Sequence, residues 1–302
     1  MVKKPEISII MNCHNGEKFL AEAINSVLNQ TYKNWELIFW NNSSSDQSEK
    51  IFKSFKDKRL RYFYTSKKVS LYVSRNAAIK KTKGNFVAFL DVDDTWLPNK
   101  LKLQLEKFKD KKVGLVYGKF LKYNKDSLFR KKQFITKQNL PEGYITKNLL
   151  KNYPVGLLTI MIRKKFIQKE KEIFKVKYNY LGDLDFVLRF SLKYKFAAVQ
   201  ECIGVYRQHN NQMQKKNFKT KSIQFSKWYN EITSKEIFGP IEDLKLLTEW
   251  ERFHSSLTLV KEKRNWKVLF KILKYPNNLN KLKLLIIFFF PDFVSRRIVG
   301  ET

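Results

Sequence analysis

Apolar and polar residues alternate in blocks over the first 118 positions. Ile7–Met11 is a short apolar run and predicts a strand. Glu17–Asn29 then places Phe19, Leu20, Ala23, Ile24, Val27 and Leu28 at helical spacing. Trp35–Trp40 predicts a second strand, Ser48–Phe55 a short helix with Ile51, Phe52 and Phe55 inward, Leu60–Tyr64 a third strand and Val73–Lys80 a helix. Phe86–Leu90 predicts a fourth strand, Pro98 opens a helix that runs through Phe108, and Val113–Tyr117 predicts a fifth strand. Strands alternating with helices build right-handed βαβ units, so the pattern predicts an α/β fold on a mostly parallel sheet.

Residues 119–180 are less regular and heavily basic, with turns expected at Pro141-Glu142-Gly143 and Pro154-Val155-Gly156. A helix is expected from about Asp183, with Phe186–Phe190 at its centre, and the chain reads as helical again from Gln212, with Trp228, Phe238, Trp250 and Trp266 among many lysines. This divides the chain into a core region 1–211, with halves 1–118 and 119–211, and a basic helical C-terminal region 212–302.

Charge narrows the partners. Sixty Lys and Arg against 28 Asp and Glu leave a net charge of +32, which invites a polyanion: nucleic acid, anionic lipid or a phosphorylated substrate. The excess is spread along the chain rather than gathered in a tail. Lys outnumbers Arg, the residue suited to bidentate base or phosphate contacts, and the aromatic residues fall in strands and helix stripes. Nucleic acid is therefore not the expected partner. In the C-terminal region Trp266, Val268, Leu269, Ile272 and Leu273 interleave with Lys267, Lys271 and Lys274, and the segment KLKLLIIFFFPDFVSRR joins apolar residues to cations. That composition suits an interfacial helix on anionic lipid, or a helix packed on the core with a solvated basic face. The longest apolar run, Leu284–Phe290, is too short to span a bilayer, which needs about 20 residues. Cys13 and Cys202 make no pairing motif and the N-terminus has no signal-peptide core, so a cytoplasmic protein is expected, at the inner face of the cytoplasmic membrane.

Three polar clusters follow predicted strands: Asn12-Cys13-His14-Asn15-Gly16, Asn41-Asn42-Ser43-Ser44-Ser45-Asp46, and Asp91-Val92-Asp93-Asp94. In open parallel sheets, ligands bind beyond the carboxyl ends of the strands, and three clusters on that edge imply a polar ligand crossing it. The carboxylates of Asp91, Asp93 and Asp94 repel one another, and a hard cation, Mg2+ or Mn2+, held together with substrate phosphates would relieve that. Asp94 or Thr95 also suits the N-cap of the helix after Pro98.

The stretch ISIIMNCHNGEKFLAEAINSVLNQTYKNWELIFWNNSSSD, followed by SRNAAIKKTKGNFVAFLDVDDTWLPNKL, resembles the family 2 glycosyltransferases of the GT-A fold. The resemblance runs from residue 5 to about 120, with further matches near 183 and at 206–209. It implies a Rossmann-like nucleotide-binding core with a mostly parallel sheet, plus a C-terminal helical extension. It also implies an inverting transferase that moves a sugar from a nucleotide-diphosphate donor to a glycan or lipid-linked acceptor, with Mn2+ or Mg2+, in bacterial surface polysaccharide assembly.

By the same resemblance Asn12, His14 and Asn15 lie near the nucleotide. Asn41 stands where the family usually has a base-recognising Asp, with uracil the usual base. Arg75 lies near the donor sugar or phosphates, Asp91 near ribose or sugar, and Asp93 at the metal. In LGDLDFVLRF, Asp183 falls at the general base and Gly182 where Glu is usual, while Asp185 matches no catalytic position and is expected to turn back or face solvent. VYRQHNN resembles the family's Tyr-Arg-x-His segment, which makes His209 a metal or phosphate contact and leaves Arg207 to pair with site carboxylates or brace the loop. His254 has no such context. The departures at Asn41 and Gly182 motivate an alternative: a catalytically impaired nucleotide-sugar-binding or scaffold protein of the same fold.

Overall fold

The computed structural model describes residues 4–124, 132–134, 138–168, 170, 172–209, 218–276 and 278–289. Contacts divide the chain into two compact units, Met1–Leu149 with Tyr153–Gln208, and Leu150–Asn152 with His209–Thr302.

In the first unit the elements are β1 (Ile7–Cys13), α1 (Glu17–Leu28), β2 (Trp35–Asn42), α2 (Ser48–Ser54), β3 (Leu60–Thr65), α3 (Leu71–Lys80), β4 (Phe86–Phe89), β5 (Thr95–Trp96), α4 (Lys100–Lys107), β6 (Val113–Asn124), β7 (Lys132–Phe134), α5 (Thr146–Lys151), β8 (Met161–Arg163), α6 (Lys164–Ile167), α7 (Gly182–Ser191) and β9 (Lys195–Gln208). The last two residues of α5 fall in the second unit. Every strand and helix expected in 1–118 is present, most within two residues of the expected ends. The sheet order is β3-β2-β1-β4-β8-β6-β9-β5, with β7 beside β6. β1 through β4 are mutually parallel, β8 runs against both β4 and β6, and β9 runs parallel to β6. The expected fifth strand thus does not lie beside the fourth: β8, from the stretch that looked irregular, is inserted between them. β6 also extends seven residues past the expected Tyr117.

β1 and β2 are buried at every position, as expected of parallel strands covered on both faces. Ile9, Met11, Leu37 and Phe39 share one core with Leu20, Ile24 and Val27 of α1, Phe52 of α2 and Leu101 of α4. α3 packs on β1 and β2. Full burial of several such side chains, at about 1.5–3 kcal/mol each, makes this block the rigid base of the loops at its carboxyl edge.

The second unit is helical in its described part: α8 (Phe218–Ser234), α9 (Lys245–Glu262), α10 (Trp266–Leu273) and α11 (Leu279–Phe289). Leu257, Val260, Val268, Ile272, Tyr275, Leu284 and Ile287 form its core. The expected start of this region at Gln212, and the segment from Phe290 to Arg297, lie outside the described residues.

Candidate active site

The three polar clusters do end up side by side, because β1, β2 and β4 are neighbours in the sheet. The first two are tied together. Asn15 has φ of 55°, a left-handed conformation that Asn tolerates better than most residues. Its backbone N–H donates to Ser44 Oγ at 3.0 Å and its side-chain oxygen accepts from the Ser45 N–H at 2.8 Å. His14 lies 2.9 Å through Nδ1 from the carbonyl oxygen of Asn42. A carbonyl only accepts, so Nδ1 carries the proton there. Both side chains are exposed at the edge. Asn12, by contrast, is buried, and neither end of its amide has a hydrogen-bond partner. Its strand neighbour Trp40 is likewise buried with an unpartnered indole N–H. Orphaned buried groups cost about 1–3 kcal/mol each, a cost kept most readily where a ligand or water completes the bond.

Asn41 is buried and already engaged. Its Nδ2 donates to the Tyr62 hydroxyl and its Oδ1 accepts from the Ser44 N–H, both at 2.9 Å. One lone pair of Oδ1 therefore remains for a base N–H. Tyr62 gave no sign in the sequence; only the pairing of β2 with β3, which sets Leu37 opposite Leu60 and Asn41 opposite Tyr64, brings it there.

The acidic loop is braced from β9. β5 pairs with β9, Thr95 opposite Val205, and this sets Arg207 against the loop. The Arg207 N–H donates to Asp94 Oδ1 at 2.9 Å, its Nε–H donates to the Asp93 carbonyl at 3.0 Å, and its Nη2 pairs with Glu22 at 2.6 Å. Arg207 thus braces the loop and pairs with a carboxylate of α1. Asp94 is 3% exposed, and burial, with Asp93 and Asp91 adding to it, holds its carboxyl well above the ordinary range. Neither Asp94 nor Thr95 caps a helix: Thr95 is in β5, and α4 starts at Lys100 with Asn99 before it.

Asp91, just past β4, accepts from Arg75 Nη2 at 2.7 Å. Arg75 on α3 is 2% exposed and lies over the rings of Tyr72 and Phe174, with its guanidinium carbon 5.4 and 5.5 Å from their centres. A guanidinium packed on two aromatic faces has little freedom left, so it presents one fixed edge to the carboxylate. Asp91 keeps 38% of its side-chain surface open, yet the surrounding protein desolvates it and raises its pKa; Arg75 works against that rise, and the charges of Asp93 and Asp183 add to it.

Asp183 is where the two halves of the unit meet. It lies in the first turn of α7, and its Oδ1 accepts from the Tyr72 hydroxyl at 3.1 Å and from the Leu184 N–H at 3.0 Å. It is not the N-cap of α7, a position that Leu181 holds. Tyr72, buried beside Arg75, was not visible as a site residue in the sequence. Its neighbour Gly182 makes room for it: a Cβ at 182 would lie 2.6 Å from Tyr72 Cε2. Asp185 departs from expectation. It neither faces solvent nor turns back, but is 1% exposed and bonded to Arg189 Nε at 2.8 Å, with Lys175 at 3.7 Å, so it fastens α7 to the segment before it. His209 follows directly on Gln208, the end of β9, and belongs to the second unit.

Among the described residues, no three His, Cys, Asp or Glu side chains are grouped closely enough to hold a metal by themselves. The donor set fits a shared ion instead. The charges of Asp93 and Asp183 both bear on Asp91, which Arg75 pairs, and Mg2+ or Mn2+ commonly binds through one or two carboxylates with substrate phosphates filling the rest.

The fold is that of the GT-A glycosyltransferases. The structure of TarS 1–349 from S. aureus in complex with UDP superposes with a TM-score of 0.59 at 16% identity, covering 98% of this chain and 82% of that one. The mannosyltransferase PcManGT from Pyrobaculum calidifontis, in complex with GDP-Man and Mn2+, gives 0.58 at 12% identity over 94% and 79%. Residues 8–170 match the sequence profile of glycosyl transferase family 2, and the chain belongs to that family. UDP-Glc:alpha-D-GlcNAc-diphosphoundecaprenol beta-1,3-glucosyltransferase WfgD of Escherichia coli is 34% identical over 161 residues, 53% of this chain and 61% of that protein, so the match spans less than two thirds of WfgD. A glycosyltransferase named for teichuronic acid biosynthesis, TuaG of Bacillus subtilis (strain 168), is 30% identical over 220 residues, 72% of this chain and 84% of that protein.

Proposed function

We propose that this chain is an inverting hexosyltransferase that takes a sugar from a UDP-sugar and adds it to a glycan or lipid-linked acceptor at the inner face of the cytoplasmic membrane, in the assembly of a bacterial surface polysaccharide. The observation that carries this reading is the convergence of Asp91, Asp93 and Asp183. They come from the end of β4 and the start of α7, about ninety residues apart, yet Asp91 feels the charge of both others.

In this reading Asn12, His14, Asn15 and Asn41 take the nucleotide end of the donor. Arg75 and Asp91 hold the ribose or donor sugar. Asp93 would hold the divalent ion with the diphosphate. A bound Mg2+ or Mn2+ supplies charge neutralisation on the departing diphosphate. Asp183 takes the proton of the acceptor hydroxyl as its oxygen attacks the anomeric carbon. The new C–O bond forms on the face opposite the diphosphate while the bond to the phosphate oxygen breaks, which inverts the carbon. Tyr72 holds Asp183 in place, and its hydroxyl stays protonated because burial, then the Asp183 charge, pushes its pKa well up against the opposing pull of Arg75.

The donor assignment draws on WfgD, whose name specifies UDP-Glc, and on the UDP complex of TarS. Because Tyr72 fills the room Gly182 leaves, the missing Glu does not by itself mark a silent binder. The test is to incubate the purified chain with UDP-glucose, UDP-N-acetylglucosamine, GDP-mannose and dTDP-glucose, with and without Mn2+. UDP-sugar turnover that requires the metal is expected. Turnover of GDP- or dTDP-sugars only would overturn the donor assignment, and tight donor binding with no turnover of any donor would favour the silent binder.

A further inference from the structure

α10 is apolar on two faces. Val268, Leu269 and Ile272 are buried. Trp266, Phe270 and Leu273, spaced i, i+4 and i+7 on another face, are 76%, 63% and 50% exposed. Lys267, Lys271 and Lys274 repeat that spacing one residue later, about 100° further round the helix, and are exposed. α11 is built the same way. Leu284 and Ile287 enter the core, while Leu279, Leu282 and Phe289 remain 66%, 54% and 63% exposed, flanked by Lys281 and Lys283. Lys281 also donates to the Leu273 carbonyl at 2.7 Å, which links the end of α10 to α11.

A helix whose outer face meets only water places polar residues there. Here six large apolar side chains stand out on two helices that touch each other, a patch of the kind that marks an interaction surface. Within the two helices the rim has one sign of charge: residues 266–289 contain Lys267, Lys271, Lys274, Lys281 and Lys283 and no Asp or Glu. That rim repels a second copy of itself and complements an anionic surface. No helix among the described residues is long and apolar enough to cross a membrane, so the helices would lie in the interface rather than span it.

We infer that α10 and α11 form a docking surface for an anionic lipid bilayer. Trp266, Phe270, Leu273, Leu279, Leu282 and Phe289 enter the boundary between headgroups and acyl chains, and the lysines meet the lipid phosphates. The assignment names a partner for the second unit and rests on its helix faces, not on the donor site.

The test is co-sedimentation of the full chain with vesicles of phosphatidylcholine alone and of phosphatidylcholine mixed with phosphatidylglycerol, with UDP-sugar binding measured in the same samples. The wild-type chain is expected on the anionic vesicles, and less so at high salt. The Trp266→Ser/Phe270→Ser variant should lose at least tenfold in partitioning, and Lys267→Gln/Lys271→Gln should lose about fivefold per lysine on anionic vesicles only. Both variants should keep the wild-type donor affinity, since the changed side chains are exposed. Absence of vesicle binding by the wild type, or undiminished binding by the Trp266→Ser/Phe270→Ser variant, would overturn the proposal. So would a wild-type dimer in solution that this variant converts to monomer without any vesicle binding. Any of these would leave the sugar-transfer reading intact if donor binding persists.

Discussion

The hydroxyl of Tyr72 on α3 lies 3.1 Å from Oδ1 of Asp183 on α7, across 111 residues of chain. It joins the first half of this unit to the second at the residue proposed as base. Asp183→Asn keeps the volume but cannot take up a proton, and kcat should fall by roughly 10²–10⁴. Tyr72→Phe removes a donor to the carboxylate and, with the same oxygen, the acceptor of the Asp183 backbone N–H at 3.2 Å. It should lower kcat about tenfold and leave the donor KM near its wild-type value, because the carboxylate keeps its charge but loses the group that orients it. A Tyr72→Phe variant with the wild-type kcat would remove Tyr72 from the reaction.

Restoring the family's usual Glu at 182 should do harm here. A Cβ at that position would sit 2.6 Å from the Tyr72 ring, which Phe174 also holds in a stack 5.4 Å away. Gly182→Glu should cost about 1–3 kcal/mol in stability by overpacking and reduce kcat more than Tyr72→Phe does. Thermal unfolding with steady-state kinetics checks both, and combining it with Tyr72→Ala should recover part of the stability.

The adjacent carboxylates Asp93 and Asp94 should separate cleanly. Asp94 is buried on the Arg207 N–H, and Asp94→Asn keeps an oxygen to accept that bond. Its effect on donor affinity should be small. Asp93→Asn should weaken Mn2+-dependent UDP-sugar binding by about 2 kcal/mol, roughly thirtyfold in Kd. Calorimetric titration of the two variants with and without Mn2+ distinguishes them, and equal losses would refute the assignment of the metal to Asp93.

Asn41→Asp should fold, because the Ser44 N–H already donates to this side chain and the Tyr62 hydroxyl, which is hydrogen-bonded to the Glu49 carboxylate, can turn from Glu49 to the new one. The added charge should sharpen recognition of the uracil N3–H. Competition binding should show the UDP-to-GDP affinity ratio rising severalfold. An unchanged ratio would place the base elsewhere.

His254 sets a pH limit on the second unit. Burial, with a smaller push from Lys221, lowers its pKa to about 4, and it sits 3.3 Å from Ser222 Oγ. In the unfolded chain His takes up its proton near pH 6.5, and in the folded one only near 4. The unfolded state therefore binds more protons between those values, and stability falls as pH drops through that window, by up to about 2–3 kcal/mol. Melting of the wild type should drop between pH 7 and pH 4.5 by more than that of His254→Gln.

Much of the first unit was legible in the sequence because its information is local. The 3.6-residue spacing of Phe19, Leu20, Ala23, Ile24 and Val27 and the apolar run of Ile7–Met11 each report which neighbours must be buried together. The three polar clusters could be placed at the ends of β1, β2 and β4 for the same reason, since a polar loop after a buried strand has only the sheet edge to occupy. Asp91 and Asp93 stand out by residue type and spacing, whatever they touch, and Asp183 by the resemblance of LGDLDFVLRF to the family's motif.

What remained hidden depends on pairing between distant segments. β8 is three residues long, and nothing in Met161–Arg163 says that it will run antiparallel between β4 and β6. Asp185 looked like a first-turn acid for solvent because helical position alone cannot reveal that Arg189 and Lys175 close over it. Lys100, which the sequence did not single out, is fully buried over Trp96, its amine 3.9 Å from the ring centre, and burial drives its pKa well down. Sequence alone thus determined the βαβ order, the strand-end clusters and the grouping of Asp91, Asp93 and Asp94 after β4. The tertiary structure decided which of those side chains meet, since Tyr72 and Asp183, or Arg207 and Asp94, become neighbours only when the sheet order and the β5–β9 pairing close more than a hundred residues of chain. Periodicity records burial, which each segment carries in itself, whereas contact is a property of two segments and is set by the packing that best buries both.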